Sequence, residues 1–297
     1  MNETILGGET SLNPAPWVTH YPEGVDWTMD LAGRPLTALL EDAARNYPAN
    51  AAVIFKGKAT SYRTLAASVD RVAAGLQNIG VTKNTKVGLF LPNTPTFIIY
   101  YFAILKAGGT VVNYNPLYTV EELTFQARDS GTRLMITHDL KALFGKVETL
   151  LANGVLERAV VVPFAPLLPP ATAVLFKVLK HKEIAGVARS PVAARIVMGP
   201  QVEHSGATLR PVSIDPDRDV AVLQYTGGTT GTPKGAMLTH TNLYANAAQI
   251  NAWATGLKPG EERVLGALPL FHVFAMTVVM NMGIATAATI LLMPRFQ

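Results

Sequence analysis

The segment TGGTTGTPKG, from Thr226 to Gly235, concentrates residue types that suit the binding of a polyphosphate. It holds four glycines, four threonines and one lysine, Lys234. Glycines let backbone N–H groups approach a ligand closely, and threonine hydroxyls and a lysine ammonium supply further donors. An ordinary hairpin turn needs only one or two glycines, so the composition favours a phosphate-binding loop over a plain turn.

The spacing of these residues excludes the two commonest nucleotide-binding loops. A Walker A loop requires glycine before its lysine and serine or threonine after it, whereas Pro233 and Gly235 flank Lys234. The dinucleotide pattern G-x-G-x-x-G also fails, because the glycines are spaced differently and no helix follows at once. GAMLTH instead reads as a second strand, with a helix only from about Thr241. The pattern therefore predicts a strand–loop–strand element whose amides and ammonium can wrap the β- and γ-phosphates of ATP.

Strand and helix patterns alternate through the elements that must position this loop. The apolar runs AAVIF, KVGLFL, TVVNYN, RLMITH and DVAVLQYT indicate strands, and stretches with helical spacing separate most of them. Thr119 and Glu122 have the spacing of a helix capping box. This alternation predicts an α/β fold built of layered βα units with mostly parallel sheets.

Composition narrows the class of protein. The 297 residues are 49% hydrophobic and 15% charged, which excludes intrinsic disorder. The absence of cysteine excludes disulfides, thiolate zinc sites and cysteine nucleophiles. The first residues lack the pattern of a secretory signal, so we expect a cytoplasmic protein. No broad basic face is indicated, and we therefore expect no nucleic-acid partner.

Residues 163–200 interrupt the alternating pattern with a proline-punctuated, apolar and basic excursion. Five lysines and arginines stand there against one glutamate, so the excursion carries a charge of +4, equal to the net charge of the whole chain. One interpretation is a surface that rests on an anionic membrane, which would make the protein peripheral at the inner face of the membrane. The favoured alternative is an insertion that packs its leucine, phenylalanine and valine side chains on the domain and leaves its lysines in water.

A second apolar stretch, residues 264–294, contains no Asp, Glu, Lys or Arg and is long enough to span a bilayer. Gly266, Pro269 and His272 interrupt it near its start. The part from Phe271 to Asn281 has the length of a core helix, and TAATILLM reads as a buried strand. These features favour buried core over a transmembrane helix.

Two motifs resemble those of the adenylate-forming superfamily, which includes acyl-CoA synthetases, luciferases and the adenylation domains of peptide synthetases. LQYTGGTTGTPKG, residues 223–235, is similar to the phosphate-loop signature of that superfamily. LPLFHVFA, residues 268–275, resembles its next motif, in which an aromatic–His–x–aromatic segment borders the carboxylate substrate. Weaker similarity covers nearly the whole chain from about Arg34, and the pattern looks most like the N-terminal portion of bacterial long-chain fatty-acid–CoA ligases.

The resemblance implies a two-step reaction. A fatty carboxylate attacks the α-phosphorus of ATP to give an acyl-adenylate and pyrophosphate, and coenzyme A then displaces AMP. ATP, Mg²⁺ and coenzyme A are the implied cofactors and co-substrates. Lys234 and His272 are the implied catalytic residues, with the hydroxyls of Thr226 and Thr230 near the metal. The residues implied to bind the phosphates are Thr226, Gly227, Gly228, Thr229, Thr230, Gly231, Thr232 and Lys234.

The resemblance also implies a domain organisation. Residues 1–33 are expected to form an N-terminal extension, and residues 34–297 an incomplete AMP-binding large domain. Within it, residues 81–200 would form one α/β subdomain, with the excursion at 163–200. Residues 34–80 and 218–297 would form the second, which carries the phosphate loop at 223–235.

Parts of the family pattern are not found in this sequence. A Gly-Tyr-Gly-x-Thr-Glu-like motif, a ribose-binding aspartate and the C-terminal lid domain with its lysine are expected to lie beyond Gln297. We therefore expect this chain alone to lack turnover. Three alternatives stay open: an adenylating enzyme for another acid or a carrier-protein acceptor, a non-catalytic membrane-associated module, and assembly as a homodimer.

Overall fold

A computed structural model of the chain describes residues 16–226 and 233–294. The strands within these residues, in chain order, are β1 (Ala51–Phe55), β2 (Lys58–Ser61), β3 (Lys86–Leu89), β4 (Thr110–Asn113), β5 (Leu134–His138), β6 (Arg158–Val162), β7 (Ile196–Met198), β8 (Val220–Thr226), β9 (Lys234–Thr239), β10 (Arg263–Gly266) and β11 (Thr289–Leu292). The helices are α1 (Ala38–Asn46), α2 (Tyr62–Asn78), α3 (Pro95–Lys106), α4 (Val120–Ser130), α5 (Lys141–Ala152), α6 (Pro170–Leu179), α7 (Gly199–Glu203), α8 (His240–Trp253), α9 (Val273–Ala275) and α10 (Met282–Ala285), with a π-helical stretch, Met276–Asn281, between α9 and α10.

The larger sheet has seven strands in the order β7-β6-β5-β3-β4-β8-β9. Every neighbouring pair is parallel except β8 and β9, which form an antiparallel hairpin. Parallel pairing requires crossovers, and helices α3 to α5 provide them between successive strands from β3 to β6. The predicted α/β fold with mostly parallel sheets is confirmed. The carboxyl ends of the parallel strands share one edge, and β8 leads from that edge into the hairpin.

The smaller sheet has four strands in the order β10-β11-β1-β2. Strand β11 runs parallel to both β1 and β10, so the last described strand pairs with the first one. The grouping of residues 218–297 with residues 34–80 into one subdomain stays a prediction; of the strands in 218–297, β10 and β11 share a sheet with β1. Strands β8 and β9 belong to the larger sheet, where Val222 and Leu223 of β8 pair with Val111 and Val112 of β4.

One apolar core joins the two sheets. It contains Val53 and Phe55 from the smaller sheet and Val87 and Val111 from the larger one, all fully buried. Helix α3 is apolar around most of its circumference, which is typical of a helix enclosed on several sides. It packs against α2, β3 and β4. The shared core fixes both sheets relative to each other, and so it also fixes the loops that cross between them.

The long apolar stretch at 264–294 forms strand β10, a loop, the helical run from Val273 to Ala285 and strand β11. Met276, Met280, Ile284 and Ile290 are fully buried in the shared core. The interpretation as buried core is therefore confirmed for the part from Ala275 to Leu292, whereas Leu265, Leu268, Val273 and Phe274 are exposed. None of the helices in the described ranges combines the length and the hydropathy that crossing a membrane requires.

The excursion at 163–200 contains α6, α7, β7 and several 3₁₀ turns. Its favoured interpretation, in which the apolar side chains pack on the domain, is wrong for most of α6. Ala173 and Phe176 do pack on the core. The side chains of Val174, Leu175, Val178 and Leu179 are instead exposed.

Candidate nucleotide-binding site

Thr226 and Lys234 face each other at the mouth of the β8–β9 hairpin. They are the last residue of β8 and the first of β9, and they are register partners. Both are exposed. Side chains of directly opposed residues lie on the same side of an antiparallel pair. The Thr226 hydroxyl and the Lys234 ammonium therefore lie on the same face of the hairpin.

Six of the predicted phosphate-binding residues lie outside the described residues. They are Gly227, Gly228, Thr229, Thr230, Gly231 and Thr232. Of the predicted site, the structure accordingly describes Thr226, Lys234 and His272. The two strands predicted on either side of this segment are confirmed as β8 and β9, and α8 begins only at His240.

Tyr225 anchors the hairpin on one side of the sheet. Its hydroxyl donates a short hydrogen bond to the Asp129 carboxylate on α4. Burial and the Asp129 carboxylate raise the pKa of Tyr225, so the phenol remains a proton donor. The tyrosine ring covers Gly235, where an added Cβ would lie 2.9 Å from the ring. Any side chain larger than hydrogen at position 235 would push the ring away and loosen this anchor.

Gln224 anchors the hairpin on the other side of the sheet, because successive side chains of a strand alternate between faces. Its buried amide donates to the carbonyl of Phe271 over 2.9 Å and accepts from Asn113 over 3.1 Å. Asn113 lies on the neighbouring strand β4 and also contacts the Met276 sulfur at 3.4 Å. Gln224 and Thr226 share this face, and through the register Lys234 does too. The hairpin residues Thr226 and Lys234 thus lie on the side of the segment from Gly266 to Met276, which runs from the end of β10 through a loop and α9 and is called the 266–276 loop below.

Asn93 holds the same loop through a second set of hydrogen bonds. This side chain is 4% exposed, and its amide nitrogen donates to the carbonyls of Gly266 and Leu268 over 3.1 and 2.8 Å. Its oxygen accepts from the backbone N–H of Leu270 over 2.8 Å. One amide therefore fixes three backbone groups of the 266–276 loop. These bonds also compensate for burying the amide, since a buried polar group without partners is costly.

His272 is presented by this fixed loop and is exposed. It precedes α9 as the N-cap residue, and its ring lies 4.5 Å from that of Phe271. The carbonyl of the adjacent Phe271 is the group that Gln224 binds. His272 therefore lies next to the contact that joins loop and hairpin, on the face shared by Thr226 and Lys234. The exposed imidazole is accessible to solvent.

Two other histidines are buried and serve packing. His138 bonds the Val162 carbonyl through Nδ1 and Thr94 Oγ1 through Nε2, so Nδ1 carries the proton because a carbonyl can only accept. His240 accepts the Leu36 N–H through Nδ1, which confirms that it satisfies a backbone group. Burial lowers the pKa of each ring to about 4, so both are neutral near neutral pH. Neither ring belongs to the candidate site.

The described residues offer few ligands for a metal ion. No group of three or more His, Asp or Glu side chains in the ranges 16–226 and 233–294 could hold one. Of the two hydroxyls expected near Mg²⁺, Thr226 stands at the hairpin mouth and Thr230 lies outside the described residues. Mg²⁺ commonly keeps several waters and binds substrate phosphates with only one or two protein groups. One hydroxyl beside a phosphate loop fits that pattern.

The residues that the sequence analysis missed are Asn93, Asn113 and Gln224. They carry no charge, and Gln224, although it falls within the segment 223–235, is not among the residues implied to bind phosphate. A usable signal was present for Asn113, the last residue of β4, and for Asn93, which lies in the connection that follows β3. Functional groups of open α/β sheets gather at the carboxyl edge of the parallel strands.

Comparison with known proteins gives consistent results. Residues 40–297 match the family described as AMP-binding enzyme. The long-chain-fatty-acid–CoA ligase of Bacillus subtilis is 35% identical over 282 residues, which cover 95% of this chain and 50% of the relative. The ligase of the same name from Salmonella typhimurium is 34% identical over 267 residues, covering 88% of this chain and 47% of the relative.

The fold also matches solved structures. The crystal structure of a long-chain-fatty-acid-CoA ligase from Archaeoglobus fulgidus has a TM-score of 0.74 and 26% identity to this chain. The match covers 93% of this chain and 50% of that one. The chain thus spans about half the length of these relatives.

Proposed function

Because the chain belongs to the AMP-binding enzyme family, we propose that it is part of a ligase that activates a fatty acid with ATP and passes the acyl group to coenzyme A. The observation that supports this most strongly is the juxtaposition of Thr226 and Lys234 with the loop that presents His272. Relatives with the name long-chain-fatty-acid–CoA ligase support the choice of acid and acceptor.

In the first step a carboxylate oxygen attacks the α-phosphorus of ATP, and the bond from that phosphorus to the bridging oxygen breaks. Pyrophosphate leaves with the electron pair, and the acyl-adenylate remains. Two anions must approach each other, so the barrier is largely electrostatic, and preorganised donors lower it. Lys234 would neutralise charge on the β- and γ-phosphates together with Thr226 and the loop residues between them. His272 would hold the acyl carboxylate near the α-phosphate.

Mg²⁺, when bound, would supply further charge neutralisation on the phosphates. The Thr226 hydroxyl is the described group that would contribute to holding it. In the second step the thiol of coenzyme A would attack the acyl carbon, and AMP would leave. The groups that bind coenzyme A are expected in the part of the family's length that this chain does not span.

A second adenylating function uses the same hairpin with a different acid or acceptor. The predicted phosphate loop would bind ATP and would not contact the acyl group, so it would not select among acids. A competition assay between palmitate, an aryl acid and an amino acid would identify the acid. Parallel assays with coenzyme A and with a phosphopantetheine-loaded carrier protein would identify the acceptor.

The exchange of labelled pyrophosphate into ATP tests the role of the hairpin, because it follows the first step alone. In a protein of the full family length, we expect Lys234→Ala to slow palmitate-dependent exchange about 100- to 1,000-fold, the usual effect of losing one preorganised donor. The exposed side chain makes no described packing contact, so stability should not change. Lys141→Ala is the matched control, an exposed lysine at the start of α5. Unchanged exchange in Lys234→Ala would refute the assigned role.

The 297-residue chain itself should give no thioester from palmitate, ATP and coenzyme A. We propose this because the chain spans only about half the length of the ligases that it resembles. Formation of palmitoyl-CoA by the purified chain would contradict the proposal. We further propose a cytoplasmic location for the enzyme.

A further inference from the structure

Helix α6 exposes its apolar side chains and turns only a narrow face to the domain. Ala173 and Phe176, three residues apart, pack against the core. Phe176 meets Phe164 at a ring distance of 5.4 Å, and Phe164 in turn meets Phe55 of β1 at 6.2 Å. These contacts fix the orientation of α6 on the domain, and so they also fix which face of the helix points outward.

The outward face of α6 is apolar. A helix turns by about 100° per residue, so Val174 and Val178 lie opposite Ala173 and Phe176, and Leu175 and Leu179 lie on the adjoining row. The exposed fractions are 65% for Val174, 55% for Leu175, 63% for Val178 and 66% for Leu179. Scattered single apolar side chains are normal on a protein surface, but four on two adjoining rows of one helix form a patch.

Positive charges border this patch. Lys177 lies on the flank of the helix, and Lys180 and Lys182 follow at its end. Lys180 pairs with Glu183 at 2.6 Å, whereas Lys177 and Lys182 make no ion pair among the described residues. The surrounding excursion, residues 163–200, carries a charge of +4. An apolar stripe bordered by lysines is complementary to a bilayer with anionic headgroups. An uncharged protein partner would offer no negative charge to pair with the lysines.

We propose that α6 docks on an anionic lipid surface, with Val174, Leu175, Val178 and Leu179 inserted at the headgroup–acyl boundary and Lys177 and Lys182 against the headgroups. The surface is independent of the hairpin, so this inference does not rest on the proposed ligase chemistry. A fatty acid partitions into a bilayer, and docking there would place the domain where such a substrate is concentrated.

The absence of native cysteine allows α6 to be labelled at one position. Val178→Cys, carrying an environment-sensitive dye, should be exposed to water in the free full-length protein. Vesicles of equal parts phosphatidylcholine and phosphatidylglycerol should shift its emission to the blue, and quencher groups on the acyl chains should quench it. Vesicles of phosphatidylcholine alone should have a much smaller effect. The same dye at Leu117→Cys, an isolated exposed leucine on another surface, should not respond.

Vesicle flotation of substituted proteins separates the apolar contribution to lipid binding from the electrostatic one. Leu175→Glu with Val178→Glu should abolish binding, whereas Leu117→Glu should not. Lys177→Gln with Lys182→Gln should lower the partition coefficient roughly 30-fold, which corresponds to about 1 kcal/mol for each lysine. Arg128→Gln with Lys258→Gln removes equal charge from exposed sites on α4 and before β10 and should leave binding close to that of the wild type.

Three results would overturn the proposal. The first is the absence of binding to anionic vesicles, and the second is binding that the α6 substitutions leave unchanged. The third is a dye at position 178 that is already shielded from water without lipid. Shielding that disappears on dilution would mean that a second copy covers α6, and shielding at all concentrations would mean that the protein's own remaining residues do.

Discussion

In most proteins polar side chains are exposed and apolar side chains are buried. The 266–276 loop and helix α6 depart from this rule in opposite ways. Beside the loop, the polar side chains of Asn93, Asn113 and Gln224 are 3–4% exposed. On α6, by contrast, four of the apolar side chains are more than half exposed. The loop is held by two sets of buried hydrogen bonds, and α6 is held by a few apolar contacts through Phe176.

This contrast indicates two kinds of functional surface. Chemistry at an α-phosphate requires a fixed imidazole, and buried amides that bind backbone groups prevent the loop from shifting. A lipid surface is fluid and sets no such requirement, so α6 needs only an apolar face and nearby charge. A buried polar residue near a site therefore points to positioning, and an exposed apolar row points to docking.

Asn93→Ala, which removes the amide that holds the 266–276 loop, should cause the largest loss of stability. The substitution leaves the backbone groups of Gly266, Leu268 and Leu270 without their partner, and we expect a loss of roughly 3 to 5 kcal/mol in the free energy of unfolding. Urea unfolding measures this loss. Amide hydrogen exchange at Leu270 should become much faster than at distant core positions.

Two further variants make this result specific. Asn93→Asp keeps the acceptor for the Leu270 N–H and loses the donors to Gly266 and Leu268, so exchange at Leu270 should be partly protected. Asn78→Ala removes an exposed amide at the end of α2 and should change little. If Asn93→Ala were as stable as the wild type, the loop would not depend on this amide.

Acid should destabilise the protein through its buried histidines. The pKa of His138 is lowered by burial from 6.5 to about 4, so between these pH values the unfolded chain binds a proton that the folded chain does not. The contribution of this neutral histidine is therefore complete above pH 6.5 and falls as the pH drops towards 4, by about 3 kcal/mol in total. His240 also loses its contribution to stability as the pH falls, because its pKa is likewise lowered to about 4.

Unfolding free energies measured across this pH range test the assignment. His138→Asn should make the slope against pH shallower, since one titrating group is gone. His138 bonds Thr94, the neighbour of Asn93, so its protonation should also speed amide exchange at Leu270. A slope that is unchanged in His138→Asn would show that this histidine does not control the acid response.

Phe176→Ala should have an intermediate effect on α6. Removal of the half-buried ring takes away its contact with Phe164, and we expect a loss of about 2 kcal/mol, less than for a fully buried phenylalanine. Thermal unfolding with a probe on α6 would measure this. A neutral result would mean that the ring does not fix the helix.

Leu175→Ala should have the smallest effect. The leucine points away from the domain, and alanine favours a helix equally well, so stability should stay within about 0.5 kcal/mol of the wild type. Phe176→Ala, one position away, is the natural control. A loss comparable to that of a core leucine would show that α6 packs its outer face against the rest of the protein.

Local patterns in the sequence predicted much of the fold. The run AAVIF corresponds to β1 without a shift, and the capping box of Thr119 and Glu122 is present at the start of α4. The hairpin after DVAVLQYT was also predicted, because strand pattern on both sides of a loop is a short-range signal. The sequence does not reveal that β8 pairs with β4, since contacts between distant strands leave no local trace.

The candidate site was predictable only in its charged and glycine-rich parts. Lys234 was found by its motif, and His272 was found by resemblance to a family. Asn93 and Gln224 were not found because their role depends on loops that come within reach only in the folded chain. The exposure of α6 was missed for a similar reason, because sequence shows which residues are apolar and not which face the domain covers.

A structure of the full-length protein with ATP would test the central claim most directly. The account predicts that the β- and γ-phosphates lie within the β8–β9 hairpin, within hydrogen-bonding distance of Thr226 and Lys234, and that the α-phosphate lies on the side of His272. Phosphates bound elsewhere, with the Lys234 ammonium left in solvent, would contradict it.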